Sequence, residues 1–407
     1  MTAEMGYRTM TKYRIKYSVV LMARAVSRIL YLFLPVKKDR ILFCSFNGMQ
    51  YTCNPKYIFE SLYRRFGQQY EYVWVLNDRE KLPMAFRDTV KVVKYRSVRY
   101  VYHWMRSGAH INNMGFEPAL PKRKKQLYIN TWHGGGAYKC VSFDVKMYSK
   151  GCKWYCNRIR QLTKGTTDCF LSSSKRFTDV TSEDFRIAEN RFVPTGMPRN
   201  DRFFSSDPTK THMLKKQICE RHHIDPDNLL VLYAPTFRSY GANLRNPNSD
   251  ACCPCIENAF ETAFGKKVTF LYRRHISRHD TATQPRREHP DIVDLTHYPD
   301  MQDLLEIADV LITDYSSSIW DFALTGKPGF LYMPDLAEYQ SDRGFYTPLD
   351  KWPFPYTESI DGLCRLIASY NTRENDDRIQ AHLNLLVSYE RGHAADRVID
   401  IIMRHTR

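Results

Sequence analysis

Apolar residues recur along this chain in two alternating patterns: short uninterrupted runs, and longer stretches with apolar positions three or four residues apart. The runs have the length of buried strands, and the wider spacing is typical of helices. Strands are predicted at 41–46, 71–76, 90–93, 127–132, 169–173, 191–194, 229–234, 268–273, 310–313 and 329–333. Helices are predicted at 55–66, 98–106, 210–222, 256–264, 301–307 and 318–326, and in the tail at 359–404. The alternation predicts an α/β protein whose parallel sheets are covered on both faces.

A stretch rich in Gly, Pro, Asn, Asp and Ser at 196–208 interrupts this alternation. Such a composition is typical of a linker between two halves. We therefore expect two α/β domains facing a cleft, one spanning 39–200 and the other 201–407. Two further loops are predicted at 239–255 and 277–290.

Residues 1–38 are predicted to form a basic amphipathic helix. One face carries an apolar stripe, and Arg24 and Arg28 fall on the opposite face; the stripe consists of Ile15, Val19, Met22, Val26, Ile29 and Phe33. Nine Lys and Arg lie within residues 1–40, against Glu4 and Asp39. A helix of this kind lies on an anionic membrane surface, or else it packs its stripe on the protein body. No apolar run in this segment approaches the roughly 20 residues that a membrane-spanning helix needs.

Charge and cysteine content narrow the classes of partner. The 407 residues carry 60 Lys and Arg against 44 Asp and Glu, a net charge of +16, which favours an anionic partner. Eleven cysteines are an odd number, so a complete disulfide framework is excluded and a reducing compartment is the simpler expectation.

The first candidate site follows the predicted strand at 127–132, where a histidine precedes three glycines. Ligands of open α/β sheets bind at the carboxyl ends of strands. His133 is a candidate base for a hydroxyl acceptor, because its side chain takes up a proton near neutral pH. Gly134, Gly135 and Lys139 are candidates for a loop that approaches a phosphate or the acceptor. A purely structural role of His133 remains the alternative.

A second candidate site follows the strand at 310–313. Thr313, Asp314, Ser316 and Ser317 stand where this strand meets a predicted helix, and their hydroxyls and amides suit a phosphate. The alternative is that these residues merely cap the helix.

A third group of candidates follows two other strands of the second half. Arg274 and His275 end the strand at 268–273, where a guanidinium and an imidazole suit a diphosphate. Asp335 and Arg343 follow the strand at 329–333 and are expected to face the same ligand.

Metal and nucleic-acid sites are not predicted. The cysteines at 252–255, with Cys152 and Cys156, lack the paired spacing of a zinc site. The basic run at 121–125 is short and is expected to be solvated. We predict no metal, no cofactor and no nucleic-acid partner.

Taken together and in order, the motifs resemble those of the CDP-glycerol glycerophosphotransferase family of teichoic acid synthases. The matching segments are Thr-Trp-His-Gly at 131–134, Gly-Met-Pro-Arg-Asn-Asp at 196–201, Leu-Tyr-Ala-Pro-Thr-Phe-Arg at 232–238, Arg-His at 274–275, Thr-Asp-Tyr-Ser-Ser at 313–317, Trp-Asp-Phe at 320–322, Lys-Pro at 327–328, and Asp335, Tyr339 and Arg-Gly-Phe-Tyr at 343–346. The chain departs from the family after His133, where its run of glycines is longer than in the usual His-Gly-Thr-Pro-like turn.

The resemblance implies a glycosyltransferase-B-like fold of two Rossmann-like domains. It also implies a peripheral enzyme on the cytoplasmic face of the cell membrane. Such an enzyme moves glycerol phosphate or ribitol phosphate from CDP-glycerol or CDP-ribitol to a hydroxyl of a lipid-linked glycan or polyol phosphate, and releases CMP. His133 and His275 would be catalytic, and the donor would be bound by Arg238, Arg274, Thr313, Asp314, Ser316, Ser317, Asp335 and Arg343. A nucleotide-sugar glycosyltransferase of the same fold is the alternative.

Overall fold

The computed structural model describes residues 2–141, 150–205, 207–236, 250–274 and 292–406. Its helices are α1 (Thr2–Leu30), α2 (Cys53–Phe66), α3 (Val98–Arg106), α4 (Lys150–Leu162), α5 (Lys175–Phe185), α6 (Pro208–His222), α7 (Pro254–Phe264), α8 (Met301–Ile307), α9 (Ser318–Ala323), α10 (Leu336–Asp342), α11 (Ile360–Ala368), α12 (Thr372–Leu385) and α13 (Ala394–Thr406). Its strands are β1 (Lys37–Cys44), β2 (Glu71–Val75), β3 (Lys91–Val93), β4 (Ser107–Asn112), β5 (Leu127–Asn130), β6 (Cys169–Leu171), β7 (Phe192–Val193), β8 (Leu229–Ala234), β9 (Val268–Tyr272), β10 (Ile292–Asp294), β11 (Val310–Thr313), β12 (Gly329–Tyr332) and β13 (Tyr356–Thr357). The predicted loop at 277–290 and most of that at 239–255 lie outside the described residues.

The strands form two parallel sheets, so the predicted α/β class is confirmed. One sheet has the order β3-β2-β1-β4-β5-β6-β7, and the other has the order β10-β9-β8-β11-β12-β13. The described chain divides into two compact units, each holding one sheet. Unit 1 comprises Met1–His133, Val141–Asp201 and Tyr389–Arg407, and unit 2 comprises Gly134–Cys140 and Arg202–Ser388.

The last helix belongs to unit 1, whereas the sequence placed all residues after 201 in the second domain. Two acids explain why α13 lies there. Asp201 accepts hydrogen bonds of 2.8 Å from the amides of Ala394 and Ala395, at the first turn of α13. Buried Glu390 accepts from the amide of Met197 (2.9 Å) and from Asn200 Nδ2 (3.2 Å). The predicted linker at 196–208 is therefore partly a buried anchoring segment.

Strand β4 lies near the middle of the unit 1 sheet although its sequence has no apolar run. It is buried along its whole length, and its polar residues are paired internally. Gln126 Nε2 lies 3.2 Å from Nε2 of buried His110 and donates to the carbonyl of Ser107 at 2.8 Å. A Cβ on Gly108 would lie 2.5 Å from the backbone oxygen of Lys38, so β1 and β4 approach closely because this residue is glycine.

Helix α1 turns its apolar stripe away from the rest of unit 1. Every residue of the stripe, from Ile15 to Phe33, has at least half of its surface exposed. The side facing the body carries polar contacts instead: Arg24 Nη1 donates to Pro118 O (2.9 Å), Ser27 Oγ donates to Ala119 O (3.3 Å), and Tyr31 OH donates to Pro121 O. Packing of the stripe on the described part of the body is therefore not observed, and a membrane role stays a prediction. No helix in the described ranges is both long and apolar enough to cross a membrane.

The close approach of β1 and β4 gives a stability prediction. Gly108→Ala should lower the free energy of unfolding by about 1–3 kcal/mol, because the new Cβ meets backbone atoms that must shift. Gly115→Ala is the matched control, since nothing lies within 4 Å of its Cβ position. Urea unfolding of both variants checks this, and equal stabilities would contradict it.

Candidate functional site

His133 lies at the carboxyl edge of the unit 1 sheet, after β5. Its Nδ1 lies 2.8 Å from the carbonyl oxygen of Asn113, which can only accept, so Nδ1 carries the proton. The basic nitrogen of the neutral ring is then Nε2. The ring is half-buried, with the rings of Phe46 and Trp132 5.5 and 4.3 Å away between centroids. The edge therefore holds His133 in one tautomer.

Buried carboxamides brace the turn that carries His133. Asn54 Nδ2 donates to the carbonyls of Thr131 (3.1 Å) and Trp132 (3.2 Å). Asn130 Oδ1 accepts from the amide of Trp132 (2.9 Å), whose φ is +50°. Asn113 accepts from the amide of Phe46 at 2.9 Å. Sequence reasoning missed these asparagines; their positions at strand ends and at a helix start were the available signal.

In unit 2, two predicted donor residues are committed to the framework of the strand ends. Thr313 is fully buried, and its hydroxyl donates to the carbonyl of Ala234 at 2.6 Å. Asp314 is also buried, and its Oδ1 accepts from the amides of Thr236 (2.8 Å) and Tyr315 (2.6 Å). These bonds tie the ends of β8 and β11 together. Donor binding by Thr313 and Asp314 stays a prediction.

The two serines that follow are half-exposed at this edge. Ser316 Oγ accepts from the amide (3.2 Å) and the hydroxyl (2.9 Å) of Ser318, the first residue of the short helix α9. Ser317 is the N-cap residue of α9 and makes no capping bond through its side chain. Phosphate binding by the two serines stays a prediction.

Asp335 and Arg343 lie at the two ends of α10, beside an aromatic stack. The rings of Tyr315 and Tyr339 are parallel with centroids 3.7 Å apart, and Tyr315 OH donates to Asp335 Oδ1 at 3.1 Å. Asp335 is buried, whereas Arg343 is half-buried, and its guanidinium makes no hydrogen bond or ion pair with the described residues. Ligand binding by Asp335 and Arg343 stays a prediction.

The glycine run after His133 is explained by packing. A Cβ on Gly135 would lie 2.5 Å from Cδ1 of buried Trp320. A Cβ on Gly136, whose φ is +78°, would lie 2.3 Å from Cε2 of Tyr138. The segment then pairs with the residues after α10: Lys139 bridges to Phe345 in antiparallel fashion. This brings the backbone of Lys139 close to the residues that follow Arg343, while Gly135 and Gly136 serve close packing.

Buried His382 contacts the segment that follows His133 through Tyr138. Its Nε2 lies 2.9 Å from Tyr138 OH, and its Nδ1 lies 2.7 Å from the carbonyl of Lys351. Burial lowers the pKa of His382 to about 4, so the imidazole is neutral at pH 7. Its position on a polar helical stretch gave no signal in the sequence.

Arg274 is the second residue after β9 and is half-buried. Strand β8 separates β9 from β11, and all three are parallel, so Arg274 and Asp314 lie at the same edge, two interstrand spacings or about 10 Å apart. Arg238 and His275, predicted to bind the donor and to be catalytic, lie outside the described residues.

The cysteines do not form a metal centre in the described ranges. Sγ of Cys253 and Cys255 are 2.9 Å apart, and Cys364 Sγ donates to the carbonyl of Cys255 at 3.6 Å. Nowhere in the described part of the chain are three or more His, Cys, Asp or Glu placed to hold a metal ion. All eleven cysteines lie in that part, and none of them forms a disulfide there.

A family model described as CDP-Glycerol:Poly(glycerophosphate) glycerophosphotransferase matches residues 27–404, which is most of the chain. The chain belongs to this family. The prediction made from the ordered motifs is thus confirmed, and with it the class of enzyme, a glycerophosphotransferase. The family match also covers most of α13, the helix that belongs to unit 1 together with the N-terminal half of the chain.

Among curated proteins, the chain is 25% identical over 376 residues to a teichoic acid poly(glycerol phosphate) polymerase of Bacillus spizizenii, covering 91% of this chain and 93% of that protein. It is 28% identical over 383 residues to a teichoic acid glycerol-phosphate transferase of Staphylococcus aureus, covering 90% and 93%. It is 27% identical over 384 residues to a teichoic acid ribitol-phosphate primase of Bacillus spizizenii, covering 91% and 92%. A poly(glycerol phosphate) polymerase of Staphylococcus epidermidis is longer, and the chain spans 51% of it.

Among solved structures, the wall teichoic acid polymerase TagF matches with a TM-score of 0.78 and 24% identity, covering 98% of both chains. A UDP-N-acetylglucosamine 2-epimerase-like protein of Listeria monocytogenes matches with a TM-score of 0.51 and 14% identity, covering 90% of this chain and 96% of that one. These likenesses confirm the predicted fold of two Rossmann-like sheets.

The pKa of His382 gives a prediction for acid stability. Between about pH 6.5 and pH 4 the unfolded chain binds a proton that folded His382 does not, so the free energy of unfolding falls as the pH drops, by about 1.4 kcal/mol per pH unit from this residue. His382→Gln should make the loss between pH 7 and pH 5 smaller in urea unfolding. His297→Gln, at an exposed position, should leave it unchanged. Equal losses in the His382→Gln variant and the wild type would contradict this.

Proposed function

We propose that this chain transfers an alditol phosphate, glycerol phosphate or ribitol phosphate, from the corresponding CDP-alditol to a hydroxyl acceptor and releases CMP. Family membership supports the donor class. The observation that carries the proposal is the carboxyl edge of the unit 2 sheet. There, half-buried Ser317 and Arg343 stand beside strand ends whose buried Thr313 and Asp314 are already committed to the framework.

In the proposed reaction the acceptor hydroxyl attacks the phosphorus that bears the alditol. The new P–O bond forms as the bond to the CMP oxygen breaks, and the hydroxyl proton goes to a base. His133 suits that base, because Nδ1 is held by the Asn113 carbonyl and Nε2 is the basic nitrogen. Charge on the departing CMP needs cationic partners, and Arg274, Arg343 and Lys139 lie in the donor half.

We assign His275 and Arg238 to the same donor group, on the family resemblance alone. Asp335 would not contact the donor itself but would act as a positioning residue. Its carboxylate fixes Tyr315 in the aromatic stack beside Arg343. The acceptor that fits the family resemblance is a lipid-linked glycan or polyol phosphate.

The outward apolar stripe of α1 supports peripheral association with the cytoplasmic face of the cell membrane. Exposed Lys12, Arg14 and Lys16 accompany the stripe on the same helix, which suits an anionic membrane surface. Arg24 takes no part in this, because its side chain is buried against the body.

The decisive experiment offers the purified protein CDP-glycerol, CDP-ribitol and UDP-glucose, with and without a lipid-linked acceptor, and follows release of the nucleotide. We expect CMP from one of the CDP-alditols, increased by the acceptor. UDP from UDP-glucose without CMP from either CDP-alditol would favour the glycosyltransferase alternative instead.

Substitutions at the two edges should have different kinetic effects. His133→Ala should lower kcat by about 10²–10⁴ and leave donor binding within a few-fold, as expected for loss of a general base. Arg343→Ala should raise KM for the CDP-alditol by about tenfold or more, because a charge-assisted contact to phosphate is lost. His212→Ala, at an exposed position, is the control. Unchanged kcat in His133→Ala would return this residue to a structural role.

The α1 stripe should control sedimentation with membranes. Met22→Asp with Ile29→Asp places charges on the outward face and should shift the protein to the supernatant of vesicle sedimentation, with CMP release on a soluble acceptor analogue retained. Met213→Asp with Leu385→Asp is the matched control, since Met213 is 65% and Met22 66% exposed. If both double variants sediment equally, the stripe does not bind membranes.

A further inference from the structure

Unit 1 contains a cavity of about 510 Å³ that the proposed reaction does not use. It lies along β3, the edge strand of the sheet, and beneath one face of α3. Its polar lining consists of Arg40, Arg79, Lys91, Arg99, Tyr102 and His103. Four of these side chains are permanent cations, and within the described residues no acidic side chain lines the cavity. The residues on α3 are spaced three and four apart, so a single helix face presents them.

The cations exceed the acids that are available to pair with them. Arg40, Lys91 and Lys37 share one carboxylate, Glu71, at 2.9, 2.5 and 3.5 Å. Burial alone would raise the pKa of Glu71, but hydrogen bonds from Lys91 and Arg40 outweigh it and lower the pKa to about 2. Arg99 makes no hydrogen bond or ion pair with the described residues. A net positive potential therefore remains in the cavity.

Arg40 is the buried centre of this charge. Its residue is 2% exposed, and Nε and Nη1 have no hydrogen-bond partner in the described part of the chain. A buried guanidinium with one shared carboxylate is costly, and an anion in the cavity would offset that cost over a few ångströms. Burial and then the charge of Arg40 lower the pKa of His103 to about 4, so the imidazole adds no charge to the empty cavity at pH 7.

A chain of contacts connects the cavity to the exposed apolar end of α1. The Tyr102 ring lies between two guanidiniums, with the Cζ atoms of Arg40 and Arg106 5.8 and 5.3 Å from its centroid. Arg106 Nε in turn donates to the carbonyl of Pro35 at 3.3 Å. Just before Pro35, Leu32 and Phe33 are 80% and 74% exposed. Exposed apolar side chains and the cationic cavity are thus connected through α3 within unit 1.

We propose that this cavity binds the phosphate of an anionic lipid headgroup while Leu32, Phe33 and the α1 stripe enter the membrane surface. Arg79 and Arg99 would contact the phosphate oxygens, with Arg40 and Lys91 as charge beneath them. The forked geometry of arginine suits phosphate better than the point charge of lysine. This inference rests on the proposed membrane association and adds a lipid class to it.

The test measures binding to vesicles of phosphatidylcholine alone and of equal parts phosphatidylglycerol and phosphatidylcholine. The wild type should prefer the phosphatidylglycerol vesicles. Arg79→Ala with Arg99→Ala should reduce affinity for those vesicles by about tenfold or more and leave binding to phosphatidylcholine unchanged. Arg64→Ala with Lys164→Ala removes two exposed cations elsewhere on unit 1 and should change both affinities less than twofold.

A charge-conserving variant separates a pocket from diffuse attraction. Arg79→Lys with Arg99→Lys keeps the net charge but loses the forks, so it should still lose affinity for phosphatidylglycerol by about threefold or more. Wild-type affinity in this variant would overturn the pocket. A second pair of results would also overturn the headgroup site. In that case inorganic phosphate would protect α3 from hydrogen exchange, while the alanine substitutions would leave binding to phosphatidylglycerol vesicles unchanged.

The outcomes also separate this inference from the proposals on which it rests. The wild type could bind both kinds of vesicle equally, and Met22→Asp with Ile29→Asp could abolish that binding. These two results would support the membrane association and overturn the headgroup site. Failure of the wild type to bind any vesicle would overturn both. CMP release on a soluble acceptor analogue should be the same in the wild type and in the Arg79 and Arg99 variants, so the transferase activity is judged independently.

Discussion

Peptide groups at the carboxyl ends of buried parallel strands must find hydrogen-bond partners, and this requirement organises both units. Asn54, Asn113 and Asn130 satisfy it in unit 1 around the turn that carries His133. Thr313 and Asp314 satisfy it in unit 2. Because buried unpaired polar groups are costly, these side chains are committed to the framework, and the half-buried groups beside them are the ones that we propose for a ligand.

The sequence indicated the strands that consist of continuous apolar runs. It missed β4, whose polar residues are buried because they form internal hydrogen bonds. Leu229–Ala234 and Val310–Thr313 appear in the structure with the predicted bounds. Strand β4 was not predicted, because His110, Asn112 and Ser107 conceal it; only tertiary contacts with Gln126 make these residues compatible with a core. Likewise, nothing local shows that α13 joins unit 1, since Asp201 and Glu390 act over almost 200 residues of chain.

For the candidate site, residue types at strand ends indicated which positions lie at the carboxyl edges of the sheets, but not which contacts each residue makes there. Thr313, Asp314, Ser316 and Ser317 are consecutive or nearly so, yet their roles differ. Two are buried braces, Ser316 binds Ser318, and Ser317 is an N-cap residue without a side-chain capping bond. The glycine run suggested a phosphate loop, while the closeness of Trp320 and Tyr138 explains Gly135 and Gly136. These distinctions depend on which atom points inward, and a one-dimensional pattern carries no such information.

The passage of the chain between the units bears on the assignment of His133. Unit 1 ends at His133 and unit 2 begins with Gly134, so the two residues share a peptide bond, with Cα atoms about 3.8 Å apart. The tight packing of Gly135 and Gly136 on Trp320 and Tyr138 leaves the following segment little freedom, and Lys139 is fixed to Phe345. His133 is thereby connected through six residues to Lys139, whose backbone is held by the bridge to Phe345. The departure from the family's His-Gly-Thr-Pro-like turn falls on Gly135 and Gly136, and their close packing within unit 2 gives this departure a physical reason.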